Sequence, residues 1–327
     1  MNNLLTISPS PHIKQTDSVN KIMYSVIFAL APALIWSFVV FGLSAVFVTL
    51  TSVVACVIIE WLIQKYLLKT QPSINDGSAI LTGILLAMNL PAGIPLWIVL
   101  IGALIAIGVG KMSFGGLGQN PFNPALVGRV FLLISYPVQM TSWPNITKTV
   151  VDATTEATPL AIVKESVKNG TPLSEIMPSL PAYNDLLMGN FSGSLGEVSA
   201  LLLLLGLAYM LFKKVITWHI PFITLGTIAI FTGILWQVNP EEFANPLFHL
   251  LSGGAMLGAI FMATDMVTSP MTKRGQAIYS VGIGVITVCI RTWGAYPEGI
   301  SFAILIMNAF TPIINTYVKP KRFGEKK

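Results

Sequence analysis

The sequence predicts an all-α integral membrane protein of about ten transmembrane helices, arranged as two inverted five-helix repeats with a long extracytoplasmic loop between them. Three observations lead to this prediction: an apolar composition, ten apolar stretches near the length of a membrane span, and an internal repeat. Hydrophobic residues make up 54% of the chain and charged residues only 10%, and the mean hydropathy is +0.73. Soluble domains carry about 25% charged residues, so an ordinary soluble enzyme is excluded.

Apolar stretches of about 20 residues are candidate spans, because a helix of that length crosses the hydrocarbon layer of a bilayer. The ten stretches are residues 22–42, 44–64, 78–92, 94–110, 123–137, 198–212, 217–236, 247–264, 276–292 and 299–317. The third is short and the eighth is rich in glycine, so we expect both to be broken or half-helices. The polar N-terminal segment has no cleavable signal pattern, so the first stretch is expected to remain a span.

The distribution of lysine and arginine predicts the orientation of the chain. With the N-terminus inside, the cytoplasmic segments hold 14 of the 19 basic residues, as the positive-inside rule requires. The predicted units are a cytoplasmic N-terminal segment, a first membrane repeat, an extracytoplasmic loop, a second membrane repeat and a basic cytoplasmic tail, over residues 1–21, 22–137, 138–197, 198–317 and 318–327. The pI of about 9.1 is therefore a signal of topology and does not indicate nucleic acid as a partner.

The internal repeat pairs glycine-rich segments from the two halves. Residues 77–89 (GSAILTGILLAMN) align with residues 253–265 (GGAMLGAIFMATD), and FGGLGQ at 114–119 aligns with WGAYPE at 293–298. An odd number of spans separates the matched segments, so the second copy is inverted. Inverted repeats place a functional site near the middle of the membrane, where broken helices meet. The alternative is that apolar, glycine-rich segments resemble one another by composition alone.

The long loop contains a compact run of hydroxyl side chains behind an acid, DATTEATPL at residues 152–160. A threonine hydroxyl here can form a phosphoester with the phosphate of FMN if an enzyme installs it. On composition alone, a solvated threonine-rich loop is the more common interpretation.

Further motifs are spread over nearly the whole chain. They are SPH at 10–12, DGSA at 76–79, GLGQNPFNPA at 116–125, ATDMVTSP at 263–270 and YPEG at 296–299. With the loop motif, they make the chain resemble the family that comprises the D subunits of Rnf ion-translocating electron-transport complexes and the B subunits of the Na⁺-translocating NADH:quinone reductase. In that family the pattern D-x-x-[ST]-x-A-T carries FMN on its last threonine. The absence of a longer N-terminal extension favours the Rnf branch.

The resemblance implies that Thr158 carries FMN covalently, which makes the chain a phosphoprotein, and that Asp152, Thr155 and Ala157 are recognised by a flavin transferase. Glu156 stands where the family usually has glycine. The resemblance also implies an electron-carrying subunit of a translocase that couples electron transfer between ferredoxin and NAD⁺ to movement of Na⁺ or H⁺. The expected partners are the A, B, C, E and G subunits of the Rnf complex, the flavin transferase and membrane lipids. The expected location is the inner membrane of a bacterial or archaeal cell, with both termini cytoplasmic.

A second, noncovalent flavin is also implied, riboflavin held among the helices. We expect Asn120, Asn123 and Arg129 to bind it, since amides suit the polar edge of an isoalloxazine and a cation suits its anionic reduced form. The alternative is that Asn-Pro pairs only cap helices. Asp265, at the end of the eighth stretch, is a candidate for the ion path or the flavin site, because ionisable residues inside membranes are costly and are usually functional; the alternative is a structural ion pair or a helix cap.

Other polar residues receive structural interpretations. Glu60 and Arg291, near the ends of their stretches, are expected to extend towards the membrane surface. The two cysteines, Cys56 and Cys289, and the three histidines have no metal-ligand spacing, so no metal site is predicted.

Two other classes of function remain open. Asn123-Pro124-Ala125 followed by Arg129 resembles a water-channel signature, but such channels need two copies, and the matching place in the second repeat reads FAI at 302–304. A urea-channel-like passive pore is still compatible with an inverted repeat. A purely structural membrane protein would differ from both by binding no flavin.

Overall fold

The computed structural model describes residues 18–144, 155–189, 191–197 and 199–319. Its helices are α1 Val19–Phe41, α2 Leu43–Leu62, α3 Ser78–Met88, α4 Leu96–Leu104, α5 Pro124–Ser135, α6 Pro137–Met140, α7 Pro159–Lys168, α8 Leu173–Ile176, α9 Tyr183–Met188, α10 Ala200–Phe212, α11 His219–Val238, α12 Pro246–Leu251, α13 Ala255–Leu257, α14 Lys273–Trp293 and α15 Ile300–Tyr317. Single π-helical turns extend α2, α4 and α13, over Ile63–Leu67, Ile105–Val109 and Gly258–Met262. Two short strands, β1 Trp143–Pro144 and β2 Thr155–Glu156, form one antiparallel pair.

The predicted all-α membrane fold is confirmed. Among the described residues, six helical segments are long and apolar enough to cross a membrane. They are Val19–Phe41, Leu43–Leu67, Leu96–Phe114, His219–Val238, Lys273–Trp293 and Ile300–Tyr317. Three shorter apolar helices, α3, α5 and α10, and the interrupted run from α12 to Met262 account for the other four predicted stretches.

The third and eighth stretches are half-helices, as expected. The first half-helix is α3, and the second comprises α13 and its π turn, residues 255–262. The aligned glycines Gly77 and Gly253, with φ of 78° and 66°, both take the left-handed conformation just before these half-helices. Glycine adopts this conformation without the steric cost that a Cβ brings. The two copies of the repeat therefore share a backbone feature as well as a composition.

The two half-helices run in opposite directions. A Cβ placed on Gly196 would lie 2.7 Å from the Met88 carbonyl oxygen and 2.6 Å from Leu257 Cδ2, so the end of α3 is near the start of the second half-helix. At the other end, Ser78 and Asp265 line one cavity. This antiparallel arrangement is what an inverted repeat requires.

The segment between the two repeats folds as a small helical cap, although the sequence suggested only a loop. Its helices α7 to α9 pack through an apolar cluster that includes Leu160, Leu173 and Leu186, and Phe248 of α12 joins the same cluster. The Leu173 amide also donates a hydrogen bond to the Glu241 carbonyl oxygen at 2.9 Å. The cap is thereby fixed on the second repeat.

Candidate functional site

Thr158 stands at the beginning of α7. Its backbone is extended, its hydroxyl oxygen accepts a hydrogen bond from the Ala161 amide at 3.3 Å, and Pro159 occupies the first helical position. Threonine at the N-cap and proline at the next position are typical of helix starts. The side chain is only 2% exposed to solvent. The sequence therefore positions this hydroxyl at the N-terminal end of a ten-residue helix.

Thr158 lies on the wall of a cavity of about 250 Å³, called here the Thr158 cavity. Its lining combines the start of α7 with residues from α5, β1 and the connection between α14 and α15. The lining residues are Arg129, Leu133, Met140, Thr141, Trp143, Ala157, Thr158, Ala161, Tyr296, Pro297 and Glu298. Pairing of Trp143 with Glu156 between β1 and β2 brings the chain to this wall.

Arg129 is the charged anchor of the Thr158 cavity. Its guanidinium is buried, forms an ion pair with Glu298 and donates a hydrogen bond to the Ser301 hydroxyl. Among the described residues, its Nε has no hydrogen-bond partner. An arginine that retains a free donor beside a helix N-terminus gives this cavity two features that favour an anionic group.

Lys164 fixes α7 against the second repeat. Its Nζ donates hydrogen bonds to the carbonyl oxygens of Ile290, at 3.2 Å, and Tyr296, at 2.8 Å. Partial burial lowers the pKa of Lys164, because desolvation disfavours the charged ammonium. These bonds link the helix that begins at Thr158 to the chain that carries Tyr296 on the cavity wall.

The residues expected to guide the flavin transferase are described to different extents. Asp152 lies outside the described residues. Thr155 is described by its backbone, which belongs to β2. Ala157 is exposed and lines the Thr158 cavity. Of this group, Ala157 is the residue whose side chain can be placed next to Thr158.

Asn120, Asn123 and Asp265 line a second, narrow cavity of about 70 Å³, called here the Asp265 cavity. Asn123 caps α5 through its side-chain oxygen, and its amide nitrogen donates to the Met262 carbonyl oxygen at 3.2 Å. Asn120 has a buried side-chain oxygen without a hydrogen-bond partner in residues 18–144, 155–189, 191–197 and 199–319. Asn123 thus caps a helix and also links the two repeats, whereas Asn120 retains a free acceptor.

Arg129 is not part of the Asp265 cavity. The structure assigns it to the Thr158 cavity, so the three residues expected around riboflavin are divided between two sites. The Asp265 carboxylate accepts hydrogen bonds from the Val267 amide at 3.4 Å and from the Thr268 hydroxyl at 3.3 Å. Asp265 therefore closes a turn at the end of the second half-helix and faces the cavity that holds Asn120.

Comparison with known proteins matches nearly the whole chain to one protein family. The model of the NQR2, RnfD, RnfE family matches residues 6–324. The chain belongs to this family. The matched range includes the residues of both cavities, both half-helices and the helical cap.

Named relatives of this family member cover nearly its full length. It is 45% identical over 327 residues to the D subunit of the proton-translocating ferredoxin:NAD⁺ oxidoreductase complex of Clostridium ljungdahlii, covering 99% of this chain and 98% of the relative. It is 47% identical over 330 residues to the D subunit of the Na⁺-translocating ferredoxin:NAD⁺ oxidoreductase complex of Acetobacterium woodii, covering 100% and 98%. The D subunit of an ion-translocating oxidoreductase complex of Escherichia coli is 36% identical over 354 residues, covering 98% and 99%.

Two buried charged groups of this family member were not predicted from the sequence. The expectation that Glu60 extends to the surface is wrong: it is fully buried and pairs with Lys111, whose Nζ lies 2.7 Å from Oε2. The positive-inside count places Lys111 in a cytoplasmic segment, yet its side chain is enclosed by the protein. A single lysine at the end of a long apolar stretch is the available signal, but nothing local indicates its partner.

The expectation for Arg291 is also wrong. Arg291 is buried and donates hydrogen bonds to the carbonyl oxygens of His249, Ser252 and Gly253, at 2.5, 3.0 and 3.1 Å. These carbonyls are released where the eighth stretch breaks between α12 and α13, and backbone groups inside a membrane protein need such partners. Arg291 therefore stabilises the break that precedes the second half-helix.

Proposed function

We propose that this chain is the flavin-carrying D subunit of an ion-translocating ferredoxin:NAD⁺ oxidoreductase complex, and that FMN is joined to it by a phosphoester at Thr158. The observation that carries this proposal is the position of Thr158: it caps α7 and shares a cavity with the Arg129 guanidinium. The names of the relatives support the role in the complex.

A phosphate on Thr158 would lie at the N-terminus of α7. Helix N-termini present free amide groups and a partial positive charge, and a nearby anion typically gains about 0.3–1 kcal/mol from them. Arg129 adds a full positive charge on the same wall. The helix start and Arg129 would hold the phosphate, while Trp143 and Tyr296 offer aromatic surface to the ring system.

The size of the cavity determines how much of the cofactor it can enclose. At about 250 Å³ it is just below the range of about 300–1,000 Å³ of small-molecule sites. It fits the phosphate and part of the flavin, and the rest would extend from the cavity towards a neighbouring electron-transfer subunit. When bound, FMN supplies the electron-transfer chemistry, and the protein supplies position and charge.

Installation of the flavin requires access to a buried hydroxyl. Because Thr158 is 2% exposed, the transferase must act on a conformation in which the start of α7 has moved away from the cavity. Under this proposal Asp152, Thr155 and the exposed Ala157 form the sequence that the transferase recognises. The step needs a flavin dinucleotide as donor: a bond forms between Thr158 Oγ1 and the phosphorus of the FMN part, the phosphoanhydride P–O bond of the donor breaks, the nucleoside monophosphate leaves with the bridging oxygen, and the hydroxyl proton is released.

A noncovalent riboflavin near Asn120 and Asn123 is a further part of the proposal. The acceptor of Asn120 that has no partner among the described residues suits a ring N–H, but a cavity of about 70 Å³ is far below the range of about 300–1,000 Å³ that is typical of small-molecule sites. The cavity must widen before a flavin can enter, and flexible side chains such as Met23, Met210 and Met266 on its wall provide the means.

The remaining parts of the proposal concern ions, partners and orientation. Asp265 is proposed for an ion path, and the two ions named in the relatives, H⁺ and Na⁺, are both retained as candidates. The proposed partners are the A, B, C, E and G subunits and the transferase. Both termini are proposed to lie in the cytoplasm of a bacterial cell, with the helical cap on the other side of the inner membrane.

The direct test is covalent flavin on Thr158. The full chain is expressed with its flavin transferase, denatured and examined for in-gel fluorescence, and the peptide spanning residues 152–160 is weighed by mass spectrometry. We expect the mass of FMN on Thr158 in the wild type, loss of fluorescence in Thr158→Ala, and retained fluorescence in the matched control Thr154→Ala. An unmodified wild-type peptide, or fluorescence that survives in Thr158→Ala, would reject the assignment.

A further inference from the structure

Glu197 is a carboxylic acid enclosed by the protein, and it has no hydrogen-bond partner in the part of the chain that the structure describes. It lies in the connection between α9 and α10, its side chain is buried, and neither carboxylate oxygen makes a hydrogen bond. The Ser194 side chain approaches the carboxylate without reaching normal hydrogen-bond geometry. Buried acids are almost always paired or hydrogen-bonded, so this one requires an explanation.

The backbone prevents Glu197 from turning towards solvent. The two residues before it are tied to the end of the first half-helix, since the Leu195 amide donates to the Leu90 carbonyl oxygen at 3.2 Å and the Gly196 amide to the Met88 carbonyl oxygen at 2.6 Å. A Cβ on Gly196 would collide with this half-helix. The acid is therefore held in place by the core of the fold.

Charged groups from three other parts of the chain act electrostatically on Glu197. Arg129 of α5, Arg291 of α14 and Glu298 before α15 all interact electrostatically with it. Both arginines direct their hydrogen bonds elsewhere, Arg129 to Glu298 and Ser301 and Arg291 to backbone carbonyls. Glu197 thus receives their field but no direct bond from either.

The environment favours the neutral form of this acid. Burial raises the pKa of Glu197, the negative charge of Glu298 raises it further, and the two arginines oppose the shift. A carboxyl with a raised pKa exchanges its proton near neutral pH, where small changes in the local field alter its occupancy.

We infer that Glu197 is a proton-binding site linked to the Thr158 cavity, which takes up a proton when a flavin there is reduced and releases it on reoxidation. This inference rests on the proposed function. The electrons come from reduced ferredoxin through the complex; as the flavin gains negative charge, a proton from the aqueous phase forms an O–H bond at Glu197, and when that charge leaves, the bond breaks and the proton returns to the aqueous phase. The structural link is Glu298, which lies on the cavity wall, pairs with Arg129 and interacts with Glu197.

The direction of the coupling follows from the charges. Negative charge on a reduced flavin in the cavity attracts Arg129 and weakens the positive field that this residue exerts on Glu197. The weaker positive field disfavours a second anion nearby, so the protonated form of Glu197 gains population. The proton then compensates charge at a distance from the flavin ring itself.

The first experiment needs no flavin. Membranes containing the full chain are treated with dicyclohexylcarbodiimide, which modifies protonated carboxyl groups in apolar surroundings, and labelled peptides are identified by mass spectrometry. We expect label on Glu197 that falls several-fold between about pH 6 and about pH 9, as a carboxyl with a raised pKa deprotonates. The exposed Glu175 serves as the control and reacts only with a water-soluble carbodiimide. An unlabelled Glu197, or label prevented by Na⁺ at constant pH, would overturn the assignment of a proton site.

The second experiment measures the coupling. The flavinylated full chain is reduced with dithionite in weakly buffered solution at slightly alkaline pH, and proton uptake per flavin is compared in the wild type, Glu197→Gln and the control Glu175→Gln. We expect lower uptake in Glu197→Gln alone, by at most about one proton. Gln copies the neutral acid, so folding and flavin content should be retained. Equal uptake in all three proteins would overturn the link to the cavity, whereas a chain without covalent flavin would contradict the proposed function and leave the labelling result to decide the protonation of Glu197.

Discussion

The Lys111 ammonium and the Glu60 carboxylate form an ion pair enclosed within the first repeat, with Nζ 2.7 Å from Oε2 and 2.9 Å from Oε1. Lys111 also donates to the Ser78 hydroxyl at 2.6 Å. The pair therefore connects α2, the end of the fourth stretch and the first turn of the half-helix α3.

Loss of one member of this pair should destabilise the protein more than loss of both. Lys111→Met leaves Glu60 charged and enclosed, which costs about 3–5 kcal/mol in comparable buried pairs. We expect a clear fall in the Tm of the purified protein in detergent, and partial recovery in the double variant Lys111→Met with Glu60→Gln. The control is Lys213→Met, at an exposed lysine. A double variant no more stable than the single one would show that the pair is not the source of the effect.

The Arg129–Glu298 pair should behave in a similar way but with a consequence for the Thr158 cavity. Arg129→Gln removes the positive charge and leaves Glu298, which is 9% exposed, without its counter-ion. The Tm should fall, and adding Glu298→Gln should restore most of it. Under the proposed function, flavin fluorescence in the native protein should remain altered in the double variant, because the cation on the cavity wall is still missing. Wild-type fluorescence in that variant would separate Arg129 from the flavin.

The proposed orientation predicts which surfaces are reached by impermeant reagents. In a variant with Cys56 and Cys289 replaced, a cysteine at the exposed Asn169 of the helical cap should be labelled by an impermeant maleimide in intact spheroplasts. A cysteine at Lys213 should be labelled only after lysis. The reverse pattern would invert the topology and place the Thr158 cavity on the cytoplasmic side.

The protonation of Lys164 should make the stability of the folded protein depend on pH in the alkaline range. Its folded-state pKa is lowered by desolvation, so the folded protein binds this proton less tightly than the unfolded chain, whose lysine pKa is about 10.4. Stability should therefore rise with pH between the lowered value and that of the unfolded chain. The effect should be small, because the side chain is partly exposed. The difference in Tm between the wild type and Lys164→Met should move in favour of the wild type over this range; parallel curves would contradict it.

Local patterns predicted much of the fold correctly because membrane helices obey local rules. The ten apolar stretches, the short third stretch and the glycine-rich break in the eighth all correspond to described elements. The loop was less predictable: its helices α7 to α9 are short, and their stability comes from packing on Phe248 and Ala244, far along the chain.

Some residues of the candidate sites could be predicted from local patterns, and others could not. The loop motif singles out Thr158 only through the family resemblance, whereas the Asn-Pro pattern identifies Asn123 as a helix cap from neighbouring residues alone. The pairing of Arg129 with Glu298 spans 169 residues, and that of Lys111 with Glu60 spans 51. No local pattern contains such information.

The sequence by itself determined the membrane class and the repeat, because hydrophobicity and glycine content depend on residues close together in the chain. The tertiary structure alone decided that Arg129 belongs with Thr158, that Lys111 is buried, and that Glu197 has no hydrogen-bond partner. Charged groups inside the protein are satisfied or left isolated by whatever distant segment packs against them, and that packing exists only once the two repeats have come together.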